Sequence, residues 1–273
     1  MRWGPFARLW LWLGERLGAL AFLLGIRRRV ALDGLARAFP EKGPPERRRI
    51  ARAAYAQLGR SLAELPLVRR LPDARLEELV RFQGWEIYLR AQGAGRGVVV
   101  AIAHYGNFEL LARACARRGV SLAVIVRTLR GGFNDWLTGD RQRTGVRHLA
   151  DRGSSKEAVA VLRRNQVLAI AVDQNMRPSR GIFVDFFGEK ACTTPAAAIY
   201  SLRTGAALLA AFGVRQADGT HLVQVRGPFS TALSGHAAVE DLTRQLTRSV
   251  EEAVRAHPDH WLWLHRRWKT RPE

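Results

Sequence analysis

Along the chain, short runs of uninterrupted apolar residues alternate with stretches whose apolar positions recur at helical spacing. VVVAIA (98–103), SLAVIVR (121–127), VRHLA (146–150), VLAIAV (167–172), AALLAAF (206–212) and HLVQV (221–225) read as strands. Between them the pattern predicts a helix from Asn107, a polar helix around Asp135 to Arg143, a helix opened by a Ser154/Glu157 capping box, one started by Thr194 and Pro195, and a late amphipathic helix, EDLTRQLTRSVEEAVRAH. Strands apolar along their whole length must be covered on both faces, and strands separated by helices pair in parallel. The expected fold class is α/β, a mostly parallel central sheet flanked by helices.

Before the first strand the chain is helical. FARLWLWLGERLGALAFLLGIRRR predicts an N-terminal hydrophobic helix, and the stretch from Asp33 to Val68 predicts two more, broken at Gly43 to Pro45. The uncharged run within the first helix, Leu17 to Ile26, is too short for a hydrocarbon core of about 30 Å, and Arg8, Glu15 and Arg16 flank or interrupt the rest. It lacks the cleavage site of a signal peptide. With Trp3, Trp10 and Trp12 in it and Arg27, Arg28 and Arg29 after it, it suits a membrane interface, either lying on the surface or as a single anchor, while packing on the domain is the alternative. The expected division is 1–30, membrane-associating helix and basic cluster, and 31–273, one α/β domain.

Charge changes the list of partners. The formal net charge is +20, and of 44 basic residues only Lys42, Lys156, Lys190 and Lys269 are lysine. Such a chain attracts anionic lipid, acidic proteins or nucleic acid. The two cysteines, Cys115 and Cys192, have no metal-binding or disulfide spacing, so no metal and no resident cofactor are expected.

Candidate chemistry gathers at "AIAHYGNFEL". His104 ends a buried strand, where open α/β sheets place their ligands, and Gly106 allows a tight turn that returns the helix start, with Glu109, beside the imidazole. A second histidine followed at the same interval by an acid, His236 and Asp241, has no strand before it and reads as a loop, so context and not spacing selects His104. A carboxylate on one ring nitrogen fixes the tautomer and raises the basicity of the other, which is the base-and-orienter part of a triad without its nucleophile. The residues alone leave a structural histidine open.

"HYGNFE" resembles the His-x4-acid motif of the lysophospholipid acyltransferase superfamily. AFPEKGPPERRRIARAAYAQLG, FNDWLTGDRQRTG, DQNMRPSRGIFVDFFGEKACTTP and HPDHWLWLHRRWKTRPE are similar, in order, to segments of its lipid A biosynthesis branch, the late lauroyl and myristoyl transferases. The resemblance implies a glycerolphosphate-acyltransferase-like fold, with His104 as general base and Glu109 as its orienter. It further implies Arg141 and Arg143 on a phosphate or oxyanion, Asp173 orienting that arginine or the acceptor, and Phe186 and Phe187 lining an acyl channel. It implies an O-acyltransferase on the cytoplasmic face of the inner membrane, with acyl carrier protein or coenzyme A thioester as co-substrate and a phosphorylated glycolipid as acceptor. A different glycolipid or lysophospholipid acceptor is an alternative within that class. A non-catalytic nucleic-acid- or membrane-binding protein is the alternative outside it, although no nucleic acid is expected. The aromatic and arginine-rich ending suits the membrane interface on this reading.

Overall fold

In the computed structural model, which describes residues 3–69, 71–126 and 145–272, the apolar runs become the middle of a sheet. Strands β1 (Val80–Gln83), β2 (Val98–Ile102), β3 (Leu122–Val126), β4 (Arg147–Ala150), β5 (Val167–Ala171), β8 (Ala207–Arg215) and β9 (His221–Phe229) form, among the described residues, a seven-stranded sheet in the order β1-β9-β8-β2-β5-β3-β4. Neighbours run parallel except β8 and β9, which are antiparallel. Strands β6 (Ile182–Phe186) and β7 (Glu189–Thr193) make a separate hairpin, turned by Phe187 and Gly188 at φ 55° and 77°. Both left-handed residues are what a two-residue hairpin turn requires.

Alternate residues of β2 feed two cores. Val99 and Ala101 pack with α7 (Ser155–Arg163), α8 (Ala196–Thr204) and α9 (Gly235–Ala256). Val98 and Val100 pack on the opposite face with α5 (Trp85–Gly93) and α6 (Phe108–Arg117). This is the mostly parallel, doubly covered sheet that the continuous apolar runs predict. Several details differ from the expectation. Strand β1, helix α5 and the β6/β7 hairpin are too short or too polar for their periodicity to show in the sequence. Ser154 forms no side-chain cap; its hydroxyl donates to the Ala150 carbonyl instead. His236 lies in the first turn of α9, not in a loop.

The N-terminal portion comprises α1 (Pro5–Leu23), α2 (Arg28–Ala38), α3 (Pro44–Val68) and the short α4 (Asp73–Leu79). Helices α1 and α3 approach closely because Gly14 and Gly18 meet Gly59: a Cβ on Gly18 would collide with the Tyr55 carbonyl. Leu11 and Phe22 are buried at this contact, each contributing on the order of 2 kcal/mol. The other side of α1 exposes Phe6, Leu9, Leu13, Leu17, Leu20 and Leu24, spaced as one helical stripe. Among the described residues no single helix is long and apolar enough to cross a membrane, and α1 and α2, bent by 87°, meet that test only as a pair.

Candidate active site

Strands β2 and β5 run side by side in parallel, with Ile102 opposite Ala171 and the Val172 N–H donating to the Ile102 carbonyl at 3.0 Å. Two residues further along each strand, this register sets His104 beside Asp173 at the carboxyl ends of the sheet. The Asp173 side chain is 3% exposed and the His104 side chain 25%. Asp173 Oδ1 lies 2.9 Å from His104 Nδ1, and Oδ2 accepts from the His104 backbone N–H and from Trp261 Nε1, both at 2.9 Å. Burial works against a charge there, but the His104 imidazole and these three donors outweigh it and hold the Asp173 carboxyl at about 2. An ionised carboxylate can only accept, so Nδ1 carries the proton and Nε2 keeps its lone pair. Gln174 Nε2 lies 3.1 Å from that nitrogen and donates to it.

The turn after His104 brings α6 back to the site. Gly106 has φ 60°, and a Cβ there would strike the Gly213 carbonyl, so only glycine fits. Asn107 Oδ1 caps α6 by accepting from the Leu110 N–H at 3.1 Å, and the Phe108 ring meets the imidazole edge-on, centroids 5.3 Å apart. Glu109, half-buried, is in the first helical turn, where the helix dipole favours its charge.

Beneath the turn lies a buried charge network absent from the sequence reading. Glu64 of α3 is fully buried; its Oε2 accepts from Asn107 Nδ2 at 2.8 Å and from Arg215 NH2 at 2.9 Å, and its Oε1 from Arg215 NH1. Burial opposes this charge too, but Arg215 and His221 hold the Glu64 carboxyl well below the usual carboxylate range. Asn107 is thus held from both sides, by Glu64 and by the helix it caps.

The C-terminal residues form a strap over the same corner. Gly106 N donates to the His260 carbonyl at 2.8 Å, Leu262 N to the His104 carbonyl at 3.0 Å, and Asn175 N to His265 Nε2 at 2.8 Å. Arg267, 1% exposed, donates through NH1 to the carbonyls of Gln174 at 3.3 Å and Cys192 at 3.0 Å. Trp261, Trp263 and Trp268 are buried. Of the aromatic and arginine-rich ending, expected at a membrane interface, the indoles and Arg267 pack inside the protein, around Phe186 and against the ends of β2 and β5, while Arg266, Lys269 and Arg271 are exposed.

The expected residues fall out as follows. His104 sits at the expected strand end. The acid on its Nδ1 is Asp173, not Glu109, because parallel register aligns the two strand ends while Glu109 starts a helix beyond the turn. Asp173 is placed to orient the imidazole; the arginines it was expected to orient lie outside the described residues. Phe186 and Phe187 are 1% and 6% exposed and pack edge-on against each other, with Trp261 and Phe39 beside them, within the hydrophobic core. Arg141, Arg143 and the helix expected around Asp135 lie outside the described residues. Burial raises both thiols, Cys115 to about 12, which suits core residues better than nucleophiles. Gln174, Trp261, Glu64 and the strap residues were missed; the Gln next to Asp173 is the one local signal that pointed to them.

Comparison with known proteins supplies the remaining finding. Residues 7–270 match the family model described as bacterial lipid A biosynthesis acyltransferase. The chain is 28% identical to the lipid A biosynthesis palmitoleoyltransferase of Escherichia coli K12, across 100% of this chain and 92% of that protein. It is 29% identical to the lauroyltransferase of the same organism, across 96% and 85%, and 26% identical to its myristoyltransferase, across 94% and 80%.

Proposed function

Because this chain belongs to the bacterial lipid A biosynthesis acyltransferases, enzymes that transfer an acyl group to a lipid A precursor, we propose that His104 Nε2 is the general base of that transfer. The observation that carries the reading is the buried Asp173 carboxylate on Nδ1, which leaves Nε2 as the basic nitrogen of an imidazole that is 25% exposed.

The acceptor hydroxyl displaces the Gln174 amide and donates to Nε2. As its oxygen attacks the carbonyl of an acyl thioester, the proton passes to Nε2, and the C=O π electrons move onto oxygen. Asp173, ionised throughout, stabilises the imidazolium that forms. Collapse of the tetrahedral intermediate reforms C=O and breaks C–S, and the imidazolium returns the proton to the departing thiolate. The products are the acyl ester and a free thiol, with no acyl-enzyme between them. The released Gln174 amide is a donor for the transient oxyanion.

The donor is the thioester of acyl carrier protein or coenzyme A, both anionic, and the acceptor is a phosphorylated glycolipid. Glu109 remains in the catalytic set as a second acid at the α6 start, while Arg141 and Arg143 serve the acceptor phosphate or the oxyanion. The exposed stripe of α1 rests on the cytoplasmic face of the inner membrane. Purified protein incubated with labelled acyl-carrier-protein or acyl-coenzyme A and a lipid A precursor is expected to yield labelled lipid, and His104→Ala to lower the rate by about 100-fold or more. A His104→Ala protein that turns over like the wild type overturns the mechanism.

A further inference from the structure

Helices α1 and α3 diverge beside the exposed stripe, and the space between them is a groove of about 570 Å³. Arg16 of α1 and Arg48, Arg49 and Arg52 of α3 stand around it, over an apolar floor that includes Ala19 and Phe22. The acid among the lining residues, Glu15, is engaged elsewhere: its Oε2 accepts from Arg60 NH1 at 3.2 Å. Among the described residues none of the four arginines makes an ion pair; Arg16 lies over the Trp12 ring, 5.2 Å from its centroid. Arg48 and Arg49 follow the first turn of α3, whose acid Glu46 interacts with Lys42 and Arg49. Four guanidinium groups around an apolar slot, with only the Glu46 carboxylate acting on one of them, Arg49, leave a net positive surface that suits an anion with an apolar part.

We propose that this groove binds the phosphodiester headgroup of an anionic phospholipid, with the first methylenes of its acyl chains on the Ala19 and Phe22 floor. The proposal rests on the membrane-surface reading above and names the lipid chemistry that the surface recognises. Charge complementarity selects the anion. Position selects a lipid over an acidic protein. Arg16 precedes Leu17 of the apolar stripe, so when that stripe enters the acyl region the groove opens at the level of the headgroups. An acidic helix of a carrier protein is convex and polar and would leave the slot unfilled.

The test is flotation of the full-length protein with vesicles of phosphatidylcholine alone and of phosphatidylcholine containing phosphatidylglycerol. Three variants are compared with the wild type. Arg48→Gln/Arg49→Gln/Arg52→Gln removes three of the four groove arginines; Arg90→Gln/Arg163→Gln/Arg164→Gln removes the same charge from exposed positions on α5 and at the end of α7; Ala53→Phe fills the groove and leaves its charge intact. The groove triple and Ala53→Phe are expected to lose phosphatidylglycerol-vesicle affinity by about tenfold or more, and the control triple by no more than about twofold. All three retain wild-type melting temperatures and acyl transfer to detergent-dispersed acceptor. Equal losses for the two triples would show a diffuse field and overturn the proposal. So would a groove triple that floats normally but loses affinity for acyl carrier protein. Vesicle binding needs no turnover, so failure of the acyl-transfer reading would show separately, as absent product with intact flotation.

Discussion

The Asp173 carboxylate grips both the ring and the backbone of His104: Oδ1 is 2.9 Å from Nδ1 and Oδ2 is 2.9 Å from the amide nitrogen. One buried acid therefore sets the tautomer, the ring orientation and the end of the strand together. Trp261 Nε1, also on Oδ2 at 2.9 Å, ties the C-terminal strap into the same arrangement.

Replacing that acid should cost catalysis more than binding. Asp173→Asn keeps the shape but removes the charge that stabilises the imidazolium, so kcat is expected to fall by about 100- to 10,000-fold with KM for both substrates little changed. Steady-state kinetics on the purified variant check this. A kcat within threefold of wild type would assign Asp173 to folding alone.

Gln174 donates to Nε2 at 3.1 Å, and a donor on that nitrogen favours the neutral ring. Gln174→Glu places a carboxylate there and favours the imidazolium. The acid limb of the pH–rate profile should then move to higher pH, with the rate recovering in alkali. An unmoved limb removes Gln174 from contact with the base.

Glu64→Ala leaves the Arg215 guanidinium, whose side chain is 7% exposed, without its carboxylate. Unpairing a buried charge of this kind costs roughly 3–5 kcal/mol. Chemical denaturation should show that loss, and Glu64→Met/Arg215→Met should lose less because neither charge is stranded. A double variant as unstable as the single one contradicts the argument.

Acid sensitivity should come in two windows. His265 is held by burial at about 4, below the usual 6.5, so the unfolded chain takes up its proton first and stability declines as pH falls from 6.5 towards 4, then no further from this group. Asp173 is held at about 2 against a usual 3.8; its contribution, about 2 kcal/mol, is complete above pH 3.8 and is lost as pH falls through 2. Unfolding midpoints against pH check both, and His265→Gln should lessen the upper decline, to which His221 and His257, also lowered by burial, contribute, and leave the lower one in place.

Some of this was legible in the residues. Val98 to Ala103 and Val167 to Val172 read as buried strands because a strand covered on both faces needs an apolar residue at every position, a requirement that leaves its mark locally. His104 stood out because it ends such a strand before a glycine turn. The β6/β7 hairpin and β1 left no comparable mark, since short strands with mixed faces satisfy no distinctive period.

By itself, then, the sequence determined the α/β class, the place of His104 at a strand end, and, through ordered motifs, the acyltransferase family. Tertiary structure alone decided which acid serves His104. Glu109 is five residues away and Asp173 sixty-nine, yet the parallel register of β2 and β5 puts the distant one on Nδ1. The same holds for Glu64 under Asn107 and for the buried C-terminal strap. Side-chain partnership across a sheet depends on register and on which helices cover it, and neither is written in the local pattern of any one segment.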